Sequence, residues 1–160
     1  MNTLTPLTLP PDCTLHIKSF SALTKDELYD LLHIRSAVFI VEQNCIYQDM
    51  DYTDQHSTHL WLTRNDRIVA TCRICPAGTK MQELSIGRVI TTERGKGYGL
   101  AIMRAAIYHA VSSYPSLSCI DIEAQADKQQ FYEKLGFDPM STPFMMEGLP
   151  HLHMRYIIRI

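Results

Sequence analysis

The sequence predicts a single domain of mixed α/β class, and two patterns lead to this prediction. Between residues 58 and 91, three segments of alternating apolar and polar residues are separated by turn-forming residues, which favours antiparallel strands. The chain then passes through strand, glycine-rich loop, helix, strand and helix, and this order predicts a pair of parallel strands. A length of 160 residues suits one domain with its own core, and no repeat or linker divides it.

The N-terminal part contains one predicted strand and one predicted helix. Its first residues are rich in Thr, Pro and Leu, which is typical of a loose arm. Thr24 and Glu27 have the spacing of a capping box, and apolar residues follow at helical spacing. Arg35 lies on this apolar stripe, where a cation is unusual. The predicted elements are the arm (1–12), a strand (14–20), the helix (24–43) and a polar loop (44–57).

The remainder of the chain contains the predicted sheet and two further helices. Asp127 and Gln130 have positions suited to capping the second of these helices, and Gly136 can end it in a left-handed conformation. The tail alternates like a closing strand. The predicted elements are strands at 58–64, 66–76, 83–91, 118–125 and 152–160, and helices at 100–111 and 127–136.

Charge and composition exclude several classes of partner. The net charge is −2, the sequence pI is about 6.4, and Lys and Arg form no run, so we expect neither nucleic acid nor an anionic membrane surface as partner. No apolar stretch reaches the roughly 18 to 20 residues of a membrane span, and the N-terminus lacks signal-peptide character. An odd number of cysteines, five, fits a reducing compartment. The sequence therefore predicts a soluble, cytoplasmic protein.

Two sets of residues that often bind metals lead to no predicted metal site. Cys72 and Cys75 form a C-x-x-C pair, but strand alternation would point them to opposite faces, and the second pair that zinc requires is absent. We therefore expect both cysteines to be structural. Four histidines have no Cys or acidic ligand at a fixed spacing nearby: His56, His59, His151 and His153.

The segment TTERGKGYGLAIM, Thr91 to Met103, joins a predicted strand to a predicted helix and contains three alternating glycines and two cations. A helix begins with unpaired amide N–H groups and a positive dipole end, and glycine lets an anion approach the backbone. The segment therefore predicts a phosphate-binding loop. Leu100 stands where a dinucleotide-binding loop requires Gly, and Leu100 and Ala101 stand where a P-loop requires Lys and Ser or Thr. Both common nucleotide motifs are thereby excluded.

Two motifs resemble a known family. Arg94, Gly97 and Gly99 meet the pattern Arg-x-x-Gly-x-Gly, and one strand later the chain reads FYEKLGF, Phe131 to Phe137. In this order they resemble the coenzyme A pyrophosphate loop and the Phe-Tyr-x-x-x-Gly-Phe helix end of the GCN5-related N-acetyltransferase (GNAT) superfamily. The segments RSAVFIVEQNCIYQDMD, GRVIT, EAQ and EGLPHLHM look like its ElaA branch.

The resemblance implies the GNAT fold, a mixed central sheet of about six to seven strands flanked by helices, with two parallel strands splayed to admit a thioester. It also implies acetyl-coenzyme A (acetyl-CoA) as the cofactor. Val89 and Thr91 would then hydrogen-bond the pantetheine arm, and residues 94–99 would surround the pyrophosphate. The implied cofactor-binding residues are Val89, Ile90, Thr91, Arg94, Gly95, Lys96, Gly97, Tyr98, Gly99, Gln125, Phe131 and Tyr132.

Acetyl transfer from a thioester to an amine needs a neutral amine, a donor to the oxyanion and a means to stabilise the departing thiolate. By position in the motif, Tyr132 is the implied leaving-group donor. From the helix alone, Tyr132 would suit a core aromatic beside Phe131 and Leu135. A backbone N–H at residues 89–90 is the expected oxyanion donor.

The general base is the least determined of these roles. Glu83 is the first choice, because it precedes Val89 by six residues on the predicted strand, and alternation would place both on one face. A solvated glutamate at the strand start is an equal interpretation of Glu83. Glu42 and Glu123 are the alternatives.

A polar cluster after the first helix, together with a histidine of the last strand, predicts the acceptor pocket. Its carboxylates favour a positively charged acceptor, such as a polyamine, an amino sugar, or a lysine-like or N-terminal amine. An unpaired Arg35 would instead select a carboxylate, and Arg35 with Glu42 could also form a buried structural ion pair. The cluster consists of Arg35, Glu42, Gln43, Tyr47, Asp49, Asp51 and His151.

These features predict an enzyme that moves an acetyl group from acetyl-CoA to a primary amine of a small molecule or peptide by direct attack. One alternative is a binding module that keeps the acyl-CoA site without catalysis, against which Tyr132 argues. A less favoured alternative is an acyl-homoserine lactone synthase. The segment RSAVFIVEQ resembles the pattern of those enzymes, but the Trp that is usual in that pattern is absent here. The predicted partner is the amine acceptor, and a homodimer is an option that the sequence leaves open.

Overall fold

An eight-stranded mixed sheet organises the chain in the computed structural model, which describes residues 6–159. The strands lie in the order β1-β2-β3-β4-β5-β8-β6, and β7 pairs with β8. All pairings are antiparallel except the parallel pair β4 and β5. The strands are β1 (Cys13–Ser19), β2 (Thr58–Arg64), β3 (Arg67–Cys75), β4 (Ser85–Thr91), β5 (Cys119–Gln125), β6 (Phe137–Pro139), β7 (Phe144–Met146) and β8 (Leu149–Ile157).

Three α-helices flank this sheet: α1 (Lys25–Arg35), α2 (Tyr98–Ser113) and α3 (Gln129–Lys134). The mixed sheet and its single parallel pair confirm the predicted fold class. The strand count exceeds the prediction because the short strands β6 and β7, of three residues each, were not predicted. Segments this short carry too few residues for alternation to show. Within residues 6–159, every helix falls short of the length and apolar character that a membrane crossing requires.

The first helix begins as predicted and ends differently. Its capping box is present, with Glu27 N donating to Thr24 Oγ1 at 3.1 Å and Thr24 N donating to Glu27 Oε2 at 2.9 Å. After Arg35 the chain continues as a π-helix, Ser36–Glu42, instead of an α-helix. Apolar spacing alone does not distinguish these two helix types.

The strands β4 and β5 separate after one pairing. Ser85 is opposite Asp121, and the amide of Asp121 donates to Leu84 O at 2.9 Å. Further along, β4 contains a bulge, since Arg88 and Val89 together lie opposite the single residue between Thr71 and Arg73 of β3. Arg88 has a φ of +52°, an uncommon value for a residue with a side chain. The bulge and the separation together open a gap between the two strands.

The hydrophobic core lies on the face of the sheet that α2 and α3 cover. On β5, Ile120, Ile122 and Ala124 belong to this core, so the residues between them point to the opposite face. The register of β5 with β8 aligns that opposite face as a row of polar side chains across both strands. The row consists of Asp121, Glu123 and Gln125 on β5 and His151, His153 and Arg155 on β8.

Several local predictions are changed by the structure. In the N-terminal arm, Leu7 and Leu9 pack against the core, so the described part of the arm is docked, while residues 1–5 lie outside the described residues. The caps predicted for α3 are wrong, because a short 3₁₀ helix, Ala126–Lys128, precedes it and no side chain caps it. Gly136 has the predicted left-handed conformation, with φ +97°.

The C-x-x-C cysteines are both buried and both free thiols. Cys72 belongs to the core cluster, whereas the sulfur of Cys75 lies 3.4 Å from Ser57 Oγ. Within residues 6–159, no group of three or more His, Cys, Asp or Glu side chains is arranged to hold a metal ion.

Candidate active site

A cleft of about 780 Å³ opens where β4 and β5 separate. Its walls come from the π-helix, from β4, from the glycine loop, from the end of β5, from α3 and from the turn between β7 and β8. The cleft therefore joins both predicted regions, the cofactor loop and the acceptor cluster. All predicted cofactor-binding residues line it except Lys96.

The glycine loop forms the start of α2 and suits a phosphate group. Gly95 and Gly97 have φ values of +73° and +77°, which glycine adopts without strain. Gly97 is the N-cap of α2 and has no side chain to accept from the first helical amides. These amides have no partner one turn earlier in the helix, and residues 97–100 line the cleft. An anionic group such as a pyrophosphate therefore fits this helix start.

Gly99 is required for a different reason. A β-carbon at this position would lie 3.2 Å from Thr91 Cγ2 and 3.3 Å from Phe131 Cζ. The start of α2 thus packs directly on the end of β4 and on α3, and any side chain at position 99 would push these elements apart.

The edge of β4 presents backbone amides to the gap. The amide of Thr92 donates to Val69 O of β3 at 3.0 Å. Because amides alternate in direction along a strand, that of Thr91 points away from β3 and towards the gap. The amide of Ile90 points towards β3 by the same alternation. Val89 belongs to the bulge and lines the cleft, so of the two predicted oxyanion donors Ile90 is the one whose amide is directed to β3.

Tyr132 lines the cleft from α3. Its side chain is held in an aromatic cluster, 5.0 Å from the Phe131 ring and 6.0 Å from the Phe137 ring between centroids. The residue is only 9% exposed, and burial raises the pKa of its hydroxyl well above the ordinary value. Within residues 6–159 the hydroxyl has no hydrogen-bond partner, yet it is not shut off from the cleft. It is thus a protonated donor available to a ligand.

The opposite wall of the cleft contacts β5 and the turn between β7 and β8 through two hydrogen bonds. Gln125 Nε2 donates to Gln43 Oε1 at 3.1 Å, and the Cys45 thiol donates to Glu147 O at 2.7 Å. Three glutamates line the cleft on this side, and none of them has an ion-pair partner within residues 6–159. They are Glu42, Glu123 and Glu147. Of the predicted acceptor residues, Glu42, Gln43, Tyr47 and His151 line the cleft.

Arg35 and Asp49 lie outside the cleft, which corrects their predicted contact with the acceptor. Arg35 is 4% exposed and donates to Asp49 Oδ2 at 2.8 Å and to Asp54 Oδ1 at 2.7 Å. The alternative prediction, an ion pair of Arg35 with Glu42, is also wrong, because Glu42 is exposed and unpaired. Arg35 lies on an apolar helix face because aspartates of the following loop neutralise it there.

Arg35 belongs to a larger buried ionic network beneath the cleft. Arg73 Nη2 lies 2.7 Å from Asp51 Oδ2 and its Nη1 lies 2.9 Å from Asp54 Oδ1. Arg88 Nε lies 2.8 Å from Asp49 Oδ1, although its N–H is not aligned for a hydrogen bond. The network consists of three arginines, three aspartates and, at its exposed edge, one lysine: Arg35, Arg73, Arg88, Asp49, Asp51, Asp54 and Lys80.

The charges of this network determine how nearby groups titrate. Burial alone would raise the pKa of Asp51 and of Asp54, but hydrogen bonds and charges from the arginines outweigh burial and hold both below the ordinary range. Burial lowers the pKa of His59, whose neutral ring donates through Nε2 to Asp54 O at 3.0 Å. Arg73 was not predicted as part of the site. The signal for it is a cation within a run of apolar strand residues, like that of Arg35.

Glu83 does not line the cleft. It precedes β4, and the bulge at Arg88 interrupts the alternation that would have placed Glu83 and Val89 on one face. Burial and, less strongly, the charge of Glu83 raise the pKa of Cys119, which places this carboxylate near the start of β5. The predicted role of Glu83 as general base therefore has no support from its position.

Comparison with known proteins agrees with this geometry. A sequence model of the acetyltransferase (GNAT) domain matches residues 22–158. The protein ElaA of Escherichia coli (strain K12) is 37% identical over 138 residues, which cover 84% of this chain and 90% of ElaA. A UPF0039 protein of Synechocystis sp. is 36% identical over 138 residues, covering 84% of this chain and 89% of that protein.

Solved structures give the same result. The crystal structure of Escherichia coli ElaA superposes with a TM-score of 0.83 at 34% identity and covers 90% of this chain and 99% of ElaA. The crystal structure of an acyl-CoA N-acyltransferase from Pseudomonas aeruginosa also has a TM-score of 0.83, at 31% identity, and covers 90% of this chain and 99% of that chain.

Proposed function

Because the chain belongs to the acetyltransferase (GNAT) family, we propose that it transfers an acetyl group from acetyl-CoA to a primary amine of a small molecule or peptide. The observation that supports this most directly is that Tyr132 lines the cleft with a protonated hydroxyl that has no hydrogen-bond partner in the described chain. Five free cysteines suit a reducing compartment, and we propose that the protein acts in the cytoplasm.

The proposed donor site extends along β4. The amides at the start of α2 would hold the pyrophosphate, with Arg94 beside them, and the amides of Val89 and Thr91 would hold the pantetheine arm. The bound acyl-CoA would supply a thioester whose carbonyl carbon can be attacked by an amine and whose thiolate can leave.

Two groups of the chain would stabilise the charges that develop during this transfer. The amide of Val89 would donate to the carbonyl oxygen as it becomes negative. The Tyr132 hydroxyl would donate to the sulfur as the bond to carbon breaks. A thiol has an ordinary pKa near 8.5, and the pKa of the Tyr132 phenol is raised above that value, so proton transfer from the phenol to a thiolate is unfavourable in free energy. Tyr132 therefore acts by a strong hydrogen bond, without complete proton transfer.

The electrostatics of the acceptor side favour a positively charged amine. The arginines nearest the cleft are neutralised by the buried aspartates, whereas Glu42, Glu123 and Glu147 carry no paired cation within the described residues. Arg94 and Lys128 also line the cleft without an ion pair in the described chain, but the three glutamates outnumber them, so the net charge there is negative, which attracts cations and repels carboxylates.

We expect Gly97→Val to weaken coenzyme A binding by about tenfold or more. A β-branched residue at a φ of +77° is strained by roughly 1 to 2 kcal/mol, and relief of this strain would turn the loop amides away from the pyrophosphate. Isothermal titration calorimetry with free coenzyme A measures the change. Gly78→Val is a matched control, because Gly78 has a similar φ of +80° but lies outside the cleft. Equal affinities for both folded variants and the wild type would show that the pyrophosphate site is elsewhere.

We expect 1,5-diaminopentane to be acetylated at least about tenfold more efficiently than 6-aminohexanoate at low ionic strength, because the two amines differ mainly in the charge at the far end. The preference should shrink at high ionic strength, since salt screens the glutamates. The measurement is kcat/KM for both amines with acetyl-CoA as donor. Preference for the carboxylate would contradict the acidic acceptor site. If the protein binds coenzyme A but transfers the acetyl group to no amine of a wider panel, the alternative of a non-catalytic binding module is supported.

A further inference from the structure

We propose that His151 is the general base that deprotonates the acceptor amine, a role that rests on the proposed transferase function. His151 lies on β8, lines the cleft and is only 7% exposed. Its backbone is placed directly opposite Gln125 in the register of β5 and β8, at the end of β5 that lies beyond its pairing with β4 at Asp121. No other histidine of the described chain lines the cleft.

The orientation of the imidazole is determined by one hydrogen bond. His151 Nδ1 lies 2.8 Å from Leu149 O, and since a carbonyl oxygen only accepts, Nδ1 must carry the proton. The neutral ring then has its lone pair on Nε2, which has no hydrogen-bond partner within residues 6–159. Packing against Phe144, at 6.4 Å between ring centroids, further restrains the ring. A base with a held tautomer and a free lone pair needs no rearrangement before it accepts a proton.

The position of His151 complements that of Tyr132. Tyr132 belongs to the core face of the sheet, which α2 and α3 cover. His151 belongs to the polar row on the opposite face, where Gln43 and the acidic wall lie. A donor for the leaving sulfur and an acceptor for the amine proton thus approach the gap from opposite faces. This arrangement suits a reaction in which the amine enters from one side of the thioester and the thiolate leaves from the other.

Other titratable groups line the same cleft on this side and are less suited to the role. The glutamates Glu42, Glu123 and Glu147 are exposed, and the Tyr47 hydroxyl donates a hydrogen bond to Asp49 Oδ1 at 3.0 Å. A solvated carboxylate has an ordinary pKa near 4, whereas an imidazole has one near 6.5, which is closer to neutral pH. We therefore assign the base to the histidine and electrostatic attraction of the acceptor to the glutamates.

The proposed step moves one proton. The acceptor arrives as an ammonium ion, and the lone pair of His151 Nε2 forms a bond to one of its hydrogens while the N–H electrons return to nitrogen as a lone pair. The neutral amine can then attack a thioester carbonyl carbon. The C–S bond breaks once the C–N bond has formed, and the second proton of the amine nitrogen is lost as the amide forms and ends on the departing thiolate, which leaves as the free thiol. The imidazolium gives its proton to solvent through the open mouth of the cleft and is restored for the next turnover.

The test compares His151→Asn with the wild type. Asparagine places its amide nitrogen where imidazole has Nδ1, so it can keep the bond to Leu149 O while removing Nε2. We expect kcat/KM for an amine to fall by about 10²-fold or more, and its decline towards acidic pH to disappear, while coenzyme A affinity measured by calorimetry stays unchanged. The matched control is His153→Asn, on the same face of β8 but outside the cleft, which should keep both the rate and the pH profile.

A second measurement depends on no activity. Long-range ¹H–¹⁵N NMR of the imidazole nitrogens should show the Nδ1–H tautomer for His151 at neutral pH, assigned by its loss in His151→Asn. A dominant Nε2–H tautomer, an unchanged pH profile in His151→Asn, or a pH profile that changes only in Glu123→Gln would each overturn the proposal for His151. If the wild type binds coenzyme A but acetylates no amine, both the proposed transferase function and the proposed role of His151 are contradicted. If His151→Asn transfers the acetyl group as fast as the wild type, only the role of His151 as general base is contradicted, and the transferase function stands.

Discussion

Tyr132→Phe should lower kcat by about 10²-fold while leaving KM for acetyl-CoA nearly unchanged. The hydroxyl would be needed mainly when charge develops on the departing sulfur, so its loss raises the transition state more than the bound ground state. The phenylalanine ring would keep the contacts with Phe131 and Phe137, at 5.0 and 6.0 Å between centroids. Steady-state kinetics with a thiol-detecting assay separates the two parameters.

Tyr156→Phe is the matched control for this experiment. Tyr156 packs on the same aromatic cluster, 5.5 Å from the Phe137 ring, but does not line the cleft. Its loss of a hydroxyl should leave kcat unchanged, and thermal unfolding of both variants shows whether packing is preserved. A Tyr132→Phe effect confined to KM, or one no larger than that of Tyr156→Phe, would make Tyr132 a core aromatic and contradict its catalytic role.

Arg35→Met should lower the free energy of unfolding by roughly 3 to 5 kcal/mol, because it leaves buried aspartates without one of their cations. Methionine keeps much of the apolar stem of arginine, so the loss reports the charge more than the volume. The carboxylates affected are those of Asp49 and Asp54, which are 7% and 8% exposed. Urea denaturation followed by circular dichroism measures the change.

Lys18→Met provides the comparison for an exposed ion pair. Lys18 Nζ lies 2.7 Å from Glu27 Oε1, as close as Arg35 lies to Asp54, but the lysine side chain is 34% exposed. We expect a loss below about 1 kcal/mol, since water replaces the lost partner. If Arg35→Met costs no more than Lys18→Met, the network under the cleft contributes little to stability, contrary to its burial.

The features that depend on neighbouring residues in the chain could be predicted from the sequence. The capping box at Thr24, the left-handed end of a helix at Gly136 and the glycine loop before α2 each involve a few consecutive residues whose backbone chemistry is local. Alternation also identified the long strands, because a buried face imposes a period of two on each of them. The family resemblance rests on the same local motifs.

Features that join distant segments could not be predicted in this way. Arg35 was recognised from the sequence as an unusual cation. Its partner Asp54 lies in the loop before β2, 19 residues further along the chain, and only the folded structure shows that the two side chains pair. Glu83 was placed on the wrong side because strand alternation assumes an unbroken strand, and the bulge at Arg88 adds one residue to it. Because side chains alternate between the two faces of a strand, one inserted residue moves every earlier side chain of that strand to the opposite face from the one expected.

By itself, the sequence determined the fold class, the glycine loop and the membership in an acetyltransferase family, since each depends on short-range patterns of residue type. Only the tertiary structure decided which polar residues face the cleft. That choice depends on strand register, on the separation of β4 from β5 after a single pairing, and on the balance of buried charges. An arginine is stable in a buried position only where carboxylates from elsewhere in the chain pair with it, so packing determines that Arg35 is structural. Strand register determines in the same way that His151 lines the cleft.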